Sequence, residues 1–294
     1  MLLFLLSECE RRIKMKLRKI TAILLCVFIL AGIMSAAAYA EEDKPFYLVL
    51  GDSIGYGSGL GNSREAVYGK IVSDTNGYDY ANDAIPGHTT QALLGRLEET
   101  SVKEHVAKAD IISISIGGNN FLLGDLPRLL FNLLVLDDTA QAESIVEGFH
   151  KDFEEIITTI HTLNPDAVIL MQTQYNPQTG HIGEAYQTAL DLLNETIRKC
   201  AKENPGEFEI VELASVLTPD DIAQDGIHPN VKGNEKIAAA VLAKLAELGL
   251  GENTEPVITT PGTDIRVPAI FSFPLRLYGD FLYFLGTIKR ALPF

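Results

Sequence analysis

The chain is predicted to form an α/β fold: a central parallel sheet with helices on both faces. Three observations predict it. Short runs rich in Val, Ile and Leu recur along the sequence. These runs are apolar almost throughout rather than alternating, as strands covered on both faces are. Stretches with helical periodicity separate them, which is the connection that parallel strands require.

The first strand is Pro45-Phe46-Tyr47-Leu48-Val49-Leu50, running directly into Gly51-Asp52-Ser53-Ile54. A loop carrying Gly55, Gly57, Gly59 and Gly61 leads to a helix over residues 64–73. A short strand near Tyr80 ends at Asn82-Asp83-Ala84-Ile85-Pro86-Gly87, and residues 89–97 and 102–109 read as helices. Asp110-Ile111-Ile112-Ser113-Ile114-Ser115-Ile116 is a β-branched strand that enters Gly117-Gly118-Asn119-Asn120. An amphipathic helix over 143–163 stops before Pro165. The remaining strands are Ala167-Val168-Ile169-Leu170-Met171 and Phe208-Glu209-Ile210-Val211, separated by a helix over 184–202 and followed by a closing helix over 231–248. No internal repeat is present.

The strand ends collect the chemistry. Ser53 falls just past the first strand, at the sheet edge where open α/β folds bind ligands. Serine alone is a poor nucleophile: a histidine must take its proton and a carboxylate must orient the ring. Asp225-Gly226-Ile227-His228-Pro229 supplies both within one short loop. Asn119, beyond two glycines, can donate a hydrogen bond to a developing oxyanion, and the Gly87 N–H can be a further donor.

At these residues the chain resembles the SGNH hydrolases, also called GDSL esterases and lipases. Their four blocks correspond here to Ser53, Gly87, Asn119 and His228, with Asp225 three residues before the histidine. The resemblance spans residues 45–250 and implies a three-layer, flavodoxin-like fold. It also implies an acyl hydrolase with a Ser53–His228–Asp225 triad and an oxyanion hole of Ser53, Gly87 and Asn119. No cofactor and no metal are expected. Two departures stand out: Ile54 replaces the usual leucine, and Asn120 replaces a frequent aspartate.

Other readings fit less well. The α/β-hydrolase elbow is G-x-S-x-G, with an acid far from the histidine. The glycine loop offers no G-x-G-x-x-G register, because Leu60, Asn62 and Arg64 interrupt it. A flavodoxin-like redox domain would need a phosphate loop after the first strand, where Asp52 stands. A non-catalytic envelope-binding module on the same scaffold would be expected to lack a triad residue, and none is lacking. His88 can line the site or start a helix; His105, His150, His161 and His181 show no ligand spacing.

Lys14, Lys16, Arg18 and Lys19 precede an apolar run over 20–33, and Ala38-Tyr39-Ala40 offers a cleavage site. Residues 1–40 therefore read as a secretory signal peptide cleaved after Ala40, and the product as secreted or envelope-associated. Met15 makes an ordinary start, which would make residues 1–14 an upstream extension. Removing residues 1–40 takes away six of 24 Lys and Arg and two of 39 Asp and Glu, leaving a charge of −19. So acidic a surface favours solubility and repels nucleic acid and anionic membrane faces. Only Cys200 then remains, so stability must come from a core rather than a disulfide.

Residues 41–250 form the predicted hydrolase domain, 251–264 a Pro/Thr/Gly linker and 265–294 an apolar tail. Leu277, Phe281, Phe284, Leu285, Ile288 and Leu292 share one helical face of the tail. That face suits a membrane interface, docking on the domain, or a partner. The strongly apolar segment 121–136 reads either as a core helix or as a wall or lid that receives an acyl chain. The substrate classes left open are lysophospholipids, short acyl esters, acetylated carbohydrates and thioesters.

Overall fold

The computed structural model describes Met15, Thr21 and residues 44–266 and 273–292. The signal peptide expected over residues 1–40 lies outside the described residues, apart from those two positions.

Five parallel strands form one sheet: β1 (Phe46–Gly51), β2 (Asp79–Asn82), β3 (Ile111–Ser115), β4 (Val168–Gln172) and β5 (Glu209–Val211), in the order β2-β1-β3-β4-β5. Their side chains alternate between two cores. Leu48, Leu50, Ile112, Ile114, Ile169 and Met171 face one way, under α4 (Thr90–Leu97), α5 (Thr100–Lys108), α8 (Ala140–Leu163) and α9 (Gly180–Glu203). Tyr47, Val49, Ile111, Leu170 and Val211 face the other, under α3 (Tyr68–Asn76) and α10 (Val231–Glu247). Three layers result, and the predicted fold class holds.

The chain leaves β1 toward β2 on one side and reaches β3 on the other. The strand order therefore reverses between β1 and β3, which opens a crevice at their carboxyl ends. Ser53 follows β1 and Asn119 follows β3, so topology alone brings both to one crevice.

Two predicted helices are broken. Residues 64–73 divide into α2 (Ser63–Ala66) and α3, because Val67 between them is extended and fully buried. Asn234 Oδ1 accepts the Tyr68 N–H at 3.1 Å and caps the second piece. Segment 121–136 is neither one core helix nor a free lid. It forms α6 (Gly118–Leu122), α7 (Leu126–Phe131) and a π-helical turn, Asn132–Leu136, that stops at Asp137 with φ 54°. Leu129, Leu130, Leu134 and Val135 are buried, while Leu123, Phe131 and Leu136 are exposed.

The Pro/Thr/Gly segment is irregular but not slack. Asn62 Oδ1 accepts the Thr263 N–H at 2.9 Å, Gly61 donates to the Thr263 carbonyl at 2.7 Å, and Asp264 accepts the Val231 N–H at 2.8 Å. Beyond it, α11 (Phe273–Ala291) docks on the domain through Leu275, Tyr278, Leu282 and Leu285 against Leu130, Leu134, Val135, Ile182 and Ala185. His181 stacks on Tyr283, and Lys289 donates to the Leu136 carbonyl at 3.2 Å. Of the six residues that share the predicted face, Leu285 docks, whereas Leu277, Phe281, Phe284, Ile288 and Leu292 stay exposed. The helix carries two apolar strips, and a single period-3.6 pattern merges them. Among the described residues no helix is long and apolar enough to cross a membrane.

Candidate active site

Ser53 opens the four-residue helix α1 (Ser53–Tyr56) directly behind β1. Asp52 is its N-cap: the side chain accepts the Ile54 N–H at 3.0 Å. Ser115, at the end of β3, donates to Asp52 Oδ1 at 3.2 Å, and its Oγ accepts the Gly55 N–H at 3.0 Å. A further bond runs from the Asp52 N–H to the Ser115 carbonyl at 2.9 Å. The serine turn is therefore clamped from below by the neighbouring strand. Burial raises Asp52 from its usual 3.8 to about 6, against the lowering pull of the Ile54 N–H and Ser115 hydrogen bonds and of nearby His228.

Asp225 and His228 sit in the loop between the 3₁₀ turn Pro219–Asp221 and α10. His228 Nδ1 lies 2.5 Å from Asp225 Oδ2. Asp225 Oδ1 accepts the N–H groups of Ile227 and His228, both at 3.0 Å. Burial pushes Asp225 upward, but the bonds from His228 and the two backbone N–H groups outweigh it and hold the carboxyl below its usual range. Tyr175 donates to the Ile227 carbonyl at 2.8 Å and Gln178 to the Gly226 carbonyl at 2.7 Å, fixing the loop from the β4 side. Ser53 and His228 line one cavity, yet Ser53 Oγ holds no hydrogen bond among the described residues. Such contacts commonly tighten only when substrate is bound.

Three donors face the same cavity. Asn119 uses one amide hydrogen on the His88 carbonyl at 2.9 Å, which fixes the side chain and leaves the other hydrogen free. The N–H groups of Ser53 and Gly87 have no acceptor among the described residues. Gly87 turns with φ +83°, a conformation side chains rarely adopt; the position demands glycine for its backbone, since a Cβ would meet nothing within 4 Å. At Gly117, φ is +121° and a Cβ would press on Phe149 at 2.9 Å, so the turn before Asn119 also needs glycine.

Asn120 keeps a carboxylate in reach despite replacing one. It accepts the Thr90 N–H at 3.2 Å and donates to Thr90 Oγ1 at 2.9 Å, and Thr90 donates to Asp152 at 2.7 Å. This chain ties the start of α4, just after Gly87-His88, to the Asn119 loop. His88 thus contributes its carbonyl; its ring Nδ1 is buried without a partner, and burial, then Arg96, lowers its pKa. His105 bonds Asp83 at 2.7 Å, and His150, His161 and His181 pair with Glu154, Glu207 and Glu184; none of the four lines the cavity. Sequence reasoning missed Ser115, Thr90, Asp152, Tyr175 and Gln178. Of these only Ser115 had a visible signal, a polar residue inside an isoleucine strand.

The cavity measures about 350 Å³. Around Ser53, Gly87, Asn119 and His228 its apolar walls are Ile54, Leu122, Leu126, Leu130, Ile182, Leu190 and Leu275, and Ser58, Gln174, Tyr175, Gln178 and Tyr186 line it as well. The replaced leucine of the serine turn, Ile54, is an apolar wall residue there. Among the described residues no cluster of His, Cys, Asp and Glu is arranged to hold a metal.

Residues 49–236 match the model of the GDSL-like lipase/acylhydrolase family. The chain is 26% identical over 218 residues to the uncharacterized protein YpmR of Bacillus subtilis (strain 168), covering 68% of this chain and 81% of that one. Among solved structures it resembles the lipase Lip_vut3 from a goat rumen metagenome, with a TM-score of 0.58 and 20% identity over 68% of this chain and 96% of that one. It also resembles the extracellular lipase of Streptomyces rimosus, with a TM-score of 0.53 and 21% identity over 68% of this chain and 99% of that one. Those likenesses carry the fold; the family match, reaching from the strand before Ser53 to the helix after His228, carries the assignment. The chain belongs to the GDSL-like lipase/acylhydrolase family.

Proposed function

We propose that the protein is an exported serine hydrolase that cleaves carboxylic esters of an apolar acyl chain. One observation carries this reading: Ser53, His228 and three hydrogen-bond donors line the same cavity as a set of leucines and isoleucines. His228 Nδ1 is engaged by Asp225, so Nε2 is the nitrogen left to take the Ser53 proton. Ser53 Oγ then bonds to the ester carbonyl carbon. The carbonyl π electrons move onto oxygen, where the Ser53 and Gly87 N–H groups and the Asn119 amide receive the charge. Collapse expels the alkoxide, which takes its proton from His228. Water, deprotonated by His228, then attacks the acyl-enzyme and releases the acid.

The seven leucine and isoleucine walls favour a fatty acyl chain, while Ser58, Gln174, Tyr175 and Gln178 on the same cavity offer polar contacts for the alcohol part. The exposed strip of α11, Leu277, Phe281, Phe284, Ile288 and Leu292, is assigned to a lipid surface. Its helix also contributes a wall of the cavity, and it carries three cations, Arg276, Lys289 and Arg290, against one anion, Asp280, in a chain whose charge is −15 in full and −19 without residues 1–40. Export rests on the composition of residues 1–40, and N-terminal sequencing of the secreted protein should begin at Glu41.

The test is Ser53→Ala, assayed on p-nitrophenyl esters. Loss of a triad member lowers kcat by roughly 10⁴ to 10⁶. A folded Ser53→Ala protein that retains full turnover would sink the nucleophile assignment.

A further inference from the structure

We propose that the C-terminal helix α11, which lies beyond the family match, forms an acyl-chain wall of the cavity and sets chain-length preference through Leu275. The inference rests on the ester-hydrolase reading of the same cavity.

The family match ends at residue 236, inside α10, so nothing in it accounts for α11. Yet Leu275 of α11 lines the cavity that holds Ser53. It packs in a small apolar cluster with Leu130 and Ile182, and both of these are also cavity walls. That cluster is separate from the two cores that cover the sheet. It exists to join α7, the π-helical turn, the start of α9 and α11.

The docking is close. A Cβ at Gly279 would collide with Ile182, and one at Gly286 would collide with the Leu134 carbonyl. These two glycines, seven residues apart, let the helix backbone lie directly on Ile182, a cavity wall, and on the π-helical turn at Leu134. Arg276 donates to Thr179 at 3.0 Å, Tyr278 to the Pro127 carbonyl at 3.4 Å, and Arg290 meets Asp137 at 3.3 Å. Bonds at both ends of the helix hold it to a fixed position. A wall so fixed reads chain length, because a rigid boundary resists the extra methylene that overfills it.

Every methylene that fits is buried from water, worth roughly fourfold in kcat/KM. The family of p-nitrophenyl esters from acetate to hexadecanoate therefore reports the cavity directly. In the unaltered protein kcat/KM should climb with chain length and then break. Leu275→Trp adds bulk at the wall and should move the break to shorter chains, lowering the dodecanoate-to-acetate ratio of kcat/KM at least tenfold. Leu275→Ala should move the break to longer chains. Leu282→Ala is the control: Leu282 is 2% exposed, anchors the same helix and lines no part of the cavity. It should lower the melting temperature and leave the ratio within twofold.

A ratio that stays within twofold in both Leu275 variants overturns the proposal, as does a ratio shifted equally by Leu282→Ala. Failure of the underlying reading looks different. Acetate hydrolysis that persists in Ser53→Ala would remove the nucleophile, whatever the chain-length profile.

Discussion

Ser115 Oγ stands between two groups of the serine turn, donating to Asp52 Oδ1 at 3.2 Å and accepting the Gly55 N–H at 3.0 Å. The strand that leads to Asn119 thereby holds the turn that carries Ser53, so the candidate nucleophile and the candidate oxyanion donor are set by one rigid pair of strands. Ser115→Ala leaves the buried Gly55 N–H without its acceptor, while Asp52 Oδ1 keeps the Ile54 N–H, and such a loss costs about 1–3 kcal/mol. The variant should be destabilised by that amount in urea and should turn over more slowly, because the Ser53 turn loses its support. Unchanged stability would show that the turn holds itself.

Asp52 gives a pH signature with a definite sign. Its folded value of about 6 lies above the usual 3.8, so the folded state binds the proton more tightly than the unfolded chain does. Its contribution is most favourable below 3.8 and is lost as pH rises through about 6. Asp52→Asn keeps an oxygen to cap Ile54 but cannot ionise. The variant's stability relative to the parent should therefore improve between pH 4 and pH 7, by as much as about 3 kcal/mol. Parallel curves from chemical denaturation across that range would refute the assignment.

Asp225 behaves oppositely. Its folded value lies below the usual range, so its stabilisation is present at neutral pH and fades as pH falls through the depressed value. Asp225→Asn can still accept the Ile227 and His228 N–H groups, which separates loop support from ring orientation. Its kcat should fall by roughly 10⁴, since the wrong imidazole tautomer is then favoured. The melting temperature should fall only by what the lost charge contributed, and less so at low pH. A modest kcat loss paired with a large melting shift would assign Asp225 to the loop alone.

Asn119→Ala removes one donor from the cavity. The expected loss is roughly 10² to 10³ in kcat, with a smaller change in KM. An effect confined to KM would place Asn119 on the ground-state substrate instead.

Most of the fold and the named cavity residues were legible in the sequence because both follow from strand ends. Apolar runs mark buried parallel strands, and a sheet whose order reverses between β1 and β3 brings Ser53 and Asn119 together. Asp225 and His228 were legible through the resemblance, in which a carboxylate stands three residues before the histidine of the last block. What stayed hidden depends on contacts between segments far apart in the chain. Ser115 reads as a lapse in an isoleucine strand until its partners across 60 residues are seen. Asp152 lies mid-helix, with nothing local to connect it to Thr90 and Asn120. Val67 breaks a helix that local propensity favours, because burying that residue outweighs continuing the turn. In the tail, one periodic pattern concealed two strips, and only packing separates the docked residues from the exposed ones.

The exposed strip of α11 leads to the last prediction. Phe284 is 60% exposed and Phe281 55%, on a helix whose opposite strip is already docked. Burying these rings at a lipid surface would hold the cavity near its substrate, and loss of apolar contact area weakens such binding. Phe281→Glu with Phe284→Glu, in the full chain, changes neither the docked strip nor any cavity wall. The double variant should co-sediment less with vesicles of zwitterionic phosphatidylcholine and should lose at least tenfold in hydrolysis of esters carried in them. Its hydrolysis of soluble p-nitrophenyl acetate and its melting temperature should stay close to the parent values. Equal losses on both substrates would mean that the rings support the fold. A parent protein that is dimeric in solution, turned monomeric by the two charges, would assign the strip to a second copy of the chain rather than to lipid.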